Sequence, residues 1–84
     1  MEKIMVQSII DGKHYDTDTA EKLSEGETWT EEQTLYRTAK GNFFLLCSFG
    51  VIKPITERQA HQWCEEHYKP KIINRFWPGT IEDA

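Results

Sequence analysis

The sequence predicts an α+β domain: a small antiparallel sheet of four or five strands built from hairpins, one amphipathic helix packed on a face, and one short helix. Three observations carry this. Asp11-Gly12 follows a strand-like apolar stretch, and that dipeptide suits a type I′ hairpin turn, where both central residues need positive φ. Leu35-Tyr36-Arg37-Thr38 and Phe43-Phe44-Leu45-Leu46-Cys47 flank the turn segment Ala39-Lys40-Gly41-Asn42, a second hairpin. Thr56-Glu57-Arg58-Gln59 is a capping box ahead of a helical apolar period.

The elements follow in order. Residues 3–10 read as a first strand, with Lys13-His14-Tyr15 returning beside it. Asp18 followed by Glu21 resembles a helix start. A short helix is therefore expected over residues 18–25, with Gly26 ending it in a left-handed conformation. The run 43–47 is apolar at every position, as expected of a central strand. Val51-Ile52-Lys53-Pro54-Ile55 reads as an edge strand, because Pro54 has no N–H to donate to a ladder. Over residues 56–68, Ala60, Trp63, Cys64 and His67 fall at i, i+3, i+4 and i+7, one face of a helix. Lys69-Pro70 is expected to end that helix. Residues 1–70 then form the domain, and residues 71–84 an extension, either an edge strand or an irregular tail.

Composition restricts function. The chain has 84 residues, 38% of them hydrophobic and 29% charged, which suits one folded domain with a thin core and a wet surface. No apolar run nears the roughly 20 residues that span a bilayer. The N-terminus lacks a signal-peptide apolar segment, and both Cys47 and Cys64 sit in apolar patterns. A cytoplasmic protein with reduced, buried thiols is the expectation. Residues 1–34 carry nine acids and three lysines, a charge of −6, while residues 35–84 carry +2. An acidic chain lacks the basic footprint that direct nucleic-acid binding requires.

Catalytic arrangements are sparse. His61, Cys64 and His67 share a predicted helix, with Cys47 and His14 elsewhere, but His61 and His67 point about 120° apart and no Cys-x-x-Cys pair exists. No P-loop, dinucleotide-binding glycine pattern or nucleophile elbow is present. Neither a catalytic residue nor a cofactor or metal is expected. Trp29, Tyr36, Phe76 and Trp77 exceed what a thin core needs, and Trp, Tyr and Arg dominate binding hot spots. The candidate binding residues are therefore the acids Asp16, Asp18, Glu31 and Glu32, the adjacent Tyr36 and Arg37, and Phe76 and Trp77.

Three stretches add context. Tyr15-Asp16-Thr17-Asp18-Thr19-Ala20, then Leu35-Tyr36-Arg37-Thr38 with Gly41-Asn42-Phe43-Phe44-Leu45, then Pro54-Ile55-Thr56 with Ala60 and Trp63, occur in that order. Together they resemble a family of small uncharacterised proteins of bacteria, phages and plasmids. Those relatives carry a glycine-rich stretch where this chain reads Cys47-Ser48-Phe49-Gly50. The resemblance implies no established activity and no catalytic residue. It implies a mobile-element setting, in which small acidic proteins act by binding host proteins.

The function expected is a non-catalytic protein-binding module, of the kind that inhibits a host defence complex such as a CRISPR effector, with a partner that carries a basic groove. Two alternatives stay open. One is a small structural domain, homodimeric through an edge strand or the Phe76-Trp77 tail. The other is a small thiol or metal enzyme.

Overall fold

The strand Phe43–Cys47 organises the molecule, because its alternate side chains feed two separate cores. A computed structural model describes residues 6–83, and Lys3 to Met5 of the expected first strand lie outside the described residues. The elements are β1 (Gln7–Ile10), β2 (Lys13–Asp16), β3 (Glu21–Glu27), β4 (Glu32–Arg37), β5 (Phe43–Cys47), a 3-10 turn (Ser48–Gly50), β6 (Val51–Ile55), α1 (Glu57–Glu66) and α2 (Pro70–Phe76). Strands β3-β4-β5-β6 form one antiparallel sheet, and β1-β2 form a separate hairpin. The protein is thus α+β, with six strands in two sheets and two helices among the described residues.

Successive strand residues point to opposite faces. On one face of β5, Phe43, Leu45 and Cys47 join Leu35 of β4, Ala60, Trp63 and Cys64 of α1, and Ile73 of α2 in a single buried cluster. On the other face, Phe44 joins Tyr15 of β2 and Ile52 of β6, flanked by Val6, Ile10, Tyr36 and Leu46. Phe44 is fully buried, with Tyr36 stacked on one side and the edge of Tyr15 on another. Burial of such a ring contributes about 2–3 kcal/mol before the aromatic contacts are counted.

Local signals explain several elements. Asp11 and Gly12 both have positive φ (52° and 74°), as a type I′ turn demands. The capping box forms: Thr56 Oγ1 accepts from the Gln59 amide at 3.1 Å, and Gln59 Oε1 accepts from the Thr56 amide at 2.8 Å. The apolar face of α1 is Ala60, Trp63 and Cys64. The helix ends in a Schellman turn, with the Lys69 amide on the Cys64 carbonyl, the Tyr68 amide on the Glu65 carbonyl and Tyr68 at φ 52°.

Two expectations fail. Residues 18–25 are not a helix. Asp16 Oδ1 accepts from the Asp18 amide in a tight turn, the Ala20 amide bonds the Asp16 carbonyl, and the chain enters β3 at Glu21. β3 is the sheet's outer strand, so its charged residues Glu21, Lys22, Glu25 and Glu27 face water and guard the exposed edge. A bulge between Lys22 and Ser24 breaks the alternation and lets Leu23 pack against the helix-side core. Residues 71–84 are likewise not a strand or wholly irregular. Pro70 takes the first position of α2, where its missing N–H costs nothing. Ile73 is buried, and Phe76 and Trp77 pack against Phe43. Arg75 forms a bidentate pair with Glu21 at 2.7 and 2.8 Å, tying α2 to the start of β3. The Arg75 hydrogen bond holds the Glu21 carboxyl below its ordinary value.

Gly26 does not terminate a helix; it gives clearance. A Cβ there would lie 2.6 Å from His67 Cδ2 and 2.7 Å from Trp63 Cζ2. Those two rings stack 4.2 Å apart directly above the strand. Gly26→Ala is expected to force them off the sheet at a cost of about 1–3 kcal/mol, lowering Tm by roughly 4–8 °C per kcal/mol. Circular-dichroism melting checks this, and an unchanged Tm would contradict the close approach.

Candidate functional site

Both connections at one end of the sheet carry an aromatic ring that packs against none of the described residues. The β3–β4 loop, residues 28–31, presents Trp29, and the β5–β6 turn presents Phe49. Their relative exposures are 105% and 104%, as open as in an unfolded peptide. Because β3 and β5 run in the same direction in this sheet, both connections lie at the same end. Ser48 Oγ accepts from the Glu32 amide at 3.0 Å and ties one to the other.

The loop around Trp29 is held from within. The Thr28 hydroxyl accepts from the Glu31 amide at 3.1 Å and from the Thr30 amide at 3.4 Å. The Thr28 amide donates to the Glu31 carbonyl at 2.8 Å. Threonine so placed substitutes for a backbone turn partner and leaves the residue after it at the apex. Beneath the loop, the buried Trp63 indole N–H donates to Gln33 Oε1 at 2.9 Å, and Gln33 Nε2 donates to Glu31 Oε1 at 2.8 Å. Gln33 is the buried polar residue of the described chain, and both ends of its amide are satisfied. The core thereby fixes the carboxylate at the loop's base.

Phe49 carries a backbone cost. It sits at φ 64°, ψ 20°, in the left-handed region, immediately before Gly50 at φ 76°. That region is strained for a residue with a Cβ and is uncommon for bulky side chains. A glycine would make the same turn without strain. The side chain gains no burial in return, so neither packing nor backbone geometry accounts for a phenylalanine there. Tyr68 makes the same exchange at the α1–α2 turn, at φ 52° and largely exposed.

Charge along the ends of β3 and β4 is mainly acidic, while Lys53 of β6 lies near enough to Cys47 to act on its thiol. Residues 23–36 contain Glu25, Glu27, Glu31 and Glu32 and no Lys or Arg. Glu25 is paired with Lys22, which lowers its carboxyl pKa. Glu27 and Glu32 are opposite one another at the last rung of β3 and β4, and both are exposed.

The residues expected from sequence do not form one surface. Glu31 and Glu32 lie in and beside the Trp29 loop. Asp16 and Asp18 lie in the β2–β3 connection, before β3 begins, with Asp16 capping the Asp18 amide. Tyr36 is half-buried, stacked on Phe44 at 5.1 Å. Arg37 lies 5.1 Å over the Phe76 ring, whose centroid is also 4.7 Å from the Arg75 guanidinium carbon. Trp77 donates its indole N–H to Glu57 at 2.9 Å and stacks on Phe43. Phe76 and Trp77 thus cover the core rather than project from it. Phe49 escaped notice in the sequence because it trails an apolar strand, although the Ser48 and Gly50 on either side of it are turn residues.

The thiols have an environment of their own. Cys64 is fully buried, and burial pushes its pKa up to about 11. Burial also raises Cys47, with the Glu31 carboxylate adding to the shift. Both therefore stay protonated at neutral pH, which is opposite to the activation that a nucleophilic thiolate requires. His61 and Cys64 border a cleft of about 540 Å³ between α1 and residues 80–83. Among the described residues, no group of three or more His, Cys, Asp or Glu side chains is placed to hold a metal ion.

No family model, no curated protein and no solved structure matches this chain.

Because Phe49 buries nothing, Phe49→Gly is expected to relieve the left-handed strain and raise stability by about 0.5–1 kcal/mol, a Tm gain of a few degrees. Thermal melts of the two proteins measure it. A lower Tm for the glycine variant would mean that Phe49 has a structural role.

Proposed function

We propose that this protein is a non-catalytic protein-binding module that docks through the Trp29–Phe49 end of its sheet. The observation behind this reading is the pair of fully exposed rings on two mutually tethered turns, one of them kept at a backbone cost. Large rigid rings lose little conformational entropy on binding, and Trp in particular is enriched among residues that dominate interface energetics. The tethers described above pre-organise the loop, which lowers the entropic cost of association.

The resemblance to mobile-element proteins suggests the biological form of this activity: occupation of a host defence complex by a small acidic protein. Two protonated, buried thiols suit the reducing cytoplasm as its compartment. No helix among the described residues is long and apolar enough to cross a membrane. The alternative of a homodimer joined through Phe76 and Trp77 loses its motive, since both rings are engaged within the monomer.

The test is quantitative affinity capture from a lysate of the producing cells, with wild type and a Trp29→Ala/Phe49→Gly variant compared side by side. Both side chains are fully exposed and without packing partners among the described residues, so the variant is expected to melt no lower than wild type. Proteins retained by wild type should fall at least roughly tenfold with the variant, the loss expected when hot-spot residues are truncated. Equal retention by both would contradict the reading.

A further inference from the structure

The charge around the two rings narrows the partner's chemistry, and the argument rests on the docking reading above. We infer that the occupant of this end is an arginine- or lysine-bearing segment of a protein, held by carboxylates at its rim and by the faces of Trp29 and Phe49.

Three features converge on a cation. The exposed faces of Trp and Phe carry the negative part of the ring quadrupole, and Trp is the strongest such acceptor among side chains. Glu27 and Glu32 face each other across the last rung of the sheet, beside the loop that bears Trp29. Like charges directly opposite on a ladder are unfavourable by themselves, and a bound cation between them would offset that repulsion. The segment from residue 23 to 36 carries four carboxylates and no base; Lys22 pairs with Glu25, which leaves Glu27, Glu31 and Glu32 as the acidic rim. The Phe49 turn, Ser48 to Gly50, adds no charge. Such a surface would repel an anionic partner and leave an apolar one facing unpaired carboxylates. Guanidinium suits it best: its planar fork pairs with carboxylates while its face stacks on a ring.

The probe is fluorescein-labelled octa-arginine, titrated with the full chain and read by fluorescence anisotropy, at low salt and at about 150 mM salt. Wild type should bind, more weakly as salt rises. Trp29→Ala/Phe49→Gly and, separately, Glu27→Gln/Glu32→Gln should each weaken binding by roughly tenfold or more. Glu31 is left in place because Gln33 depends on it. A charge-matched control, Glu65→Gln/Glu66→Gln on the exposed side of α1, should change binding by less than about twofold. An equal loss in that control would reduce the effect to net charge and overturn the inference. So would binding that ignores Trp29 and Phe49, or no binding at low salt. If cellular capture requires the two rings but survives Glu27→Gln/Glu32→Gln, the docking reading stands and the cationic occupant is wrong.

Discussion

The hydrogen-bond chain from the Trp63 indole through the Gln33 amide to the Glu31 carboxylate connects all levels of this structure. Its first member belongs to α1, its second to β4 and its third to the loop at the sheet's end. A buried amide left half-satisfied costs about 1–3 kcal/mol, so the helix, the strand and the loop cannot adjust separately without penalty. The same Trp63 ring, stacked with His67, lies so close to β3 that the position beneath must be glycine. One aromatic side chain thus sets both the approach of α1 to the sheet and the geometry of the loop that presents Trp29.

What could be read from the sequence depended on whether a local signal had a tertiary competitor. Asp11-Gly12, the Thr56–Gln59 box and the wholly apolar 43–47 strand each point to a single structure, and each forms. β3 was hidden because Asp18, Ala20, Glu21 and Leu23 imitate a capped helix. What decides the matter is position: an outer strand takes its hydrogen bonds from β4 on one side only, tolerates charged residues, and buries Leu23 through a bulge that no alternation would reveal. α2 was hidden by its proline. α1 has already ended at Glu66 in the turn through Tyr68, and Pro70 opens the next helix from its own first position.

The candidate site was only partly legible for similar reasons. Composition located the acids, and Glu31 and Glu32 fall where the exposed rings are, whereas Asp16 and Asp18 belong to a turn ahead of β3. Trp29 stood out as a surplus aromatic, but nothing in the one-dimensional pattern distinguishes it from Trp77, which closes the core beside Phe43. Phe49 reads as the end of an apolar run. Only backbone geometry reveals that its ring points outward from a left-handed turn. The information was absent because burial of a ring depends on whether a second element, here α2, returns to cover it.

The central claim is that the Trp63–Gln33 contact couples helix to sheet as one buried unit. A double-mutant cycle with Trp63→Phe and Gln33→Leu, measured by urea denaturation, tests it most directly. Each single change strands a buried polar partner, while the double change removes both. The account therefore predicts that the double variant is less destabilised than the sum of the singles, by about 1 kcal/mol or more. Additivity within about 0.3 kcal/mol would contradict it.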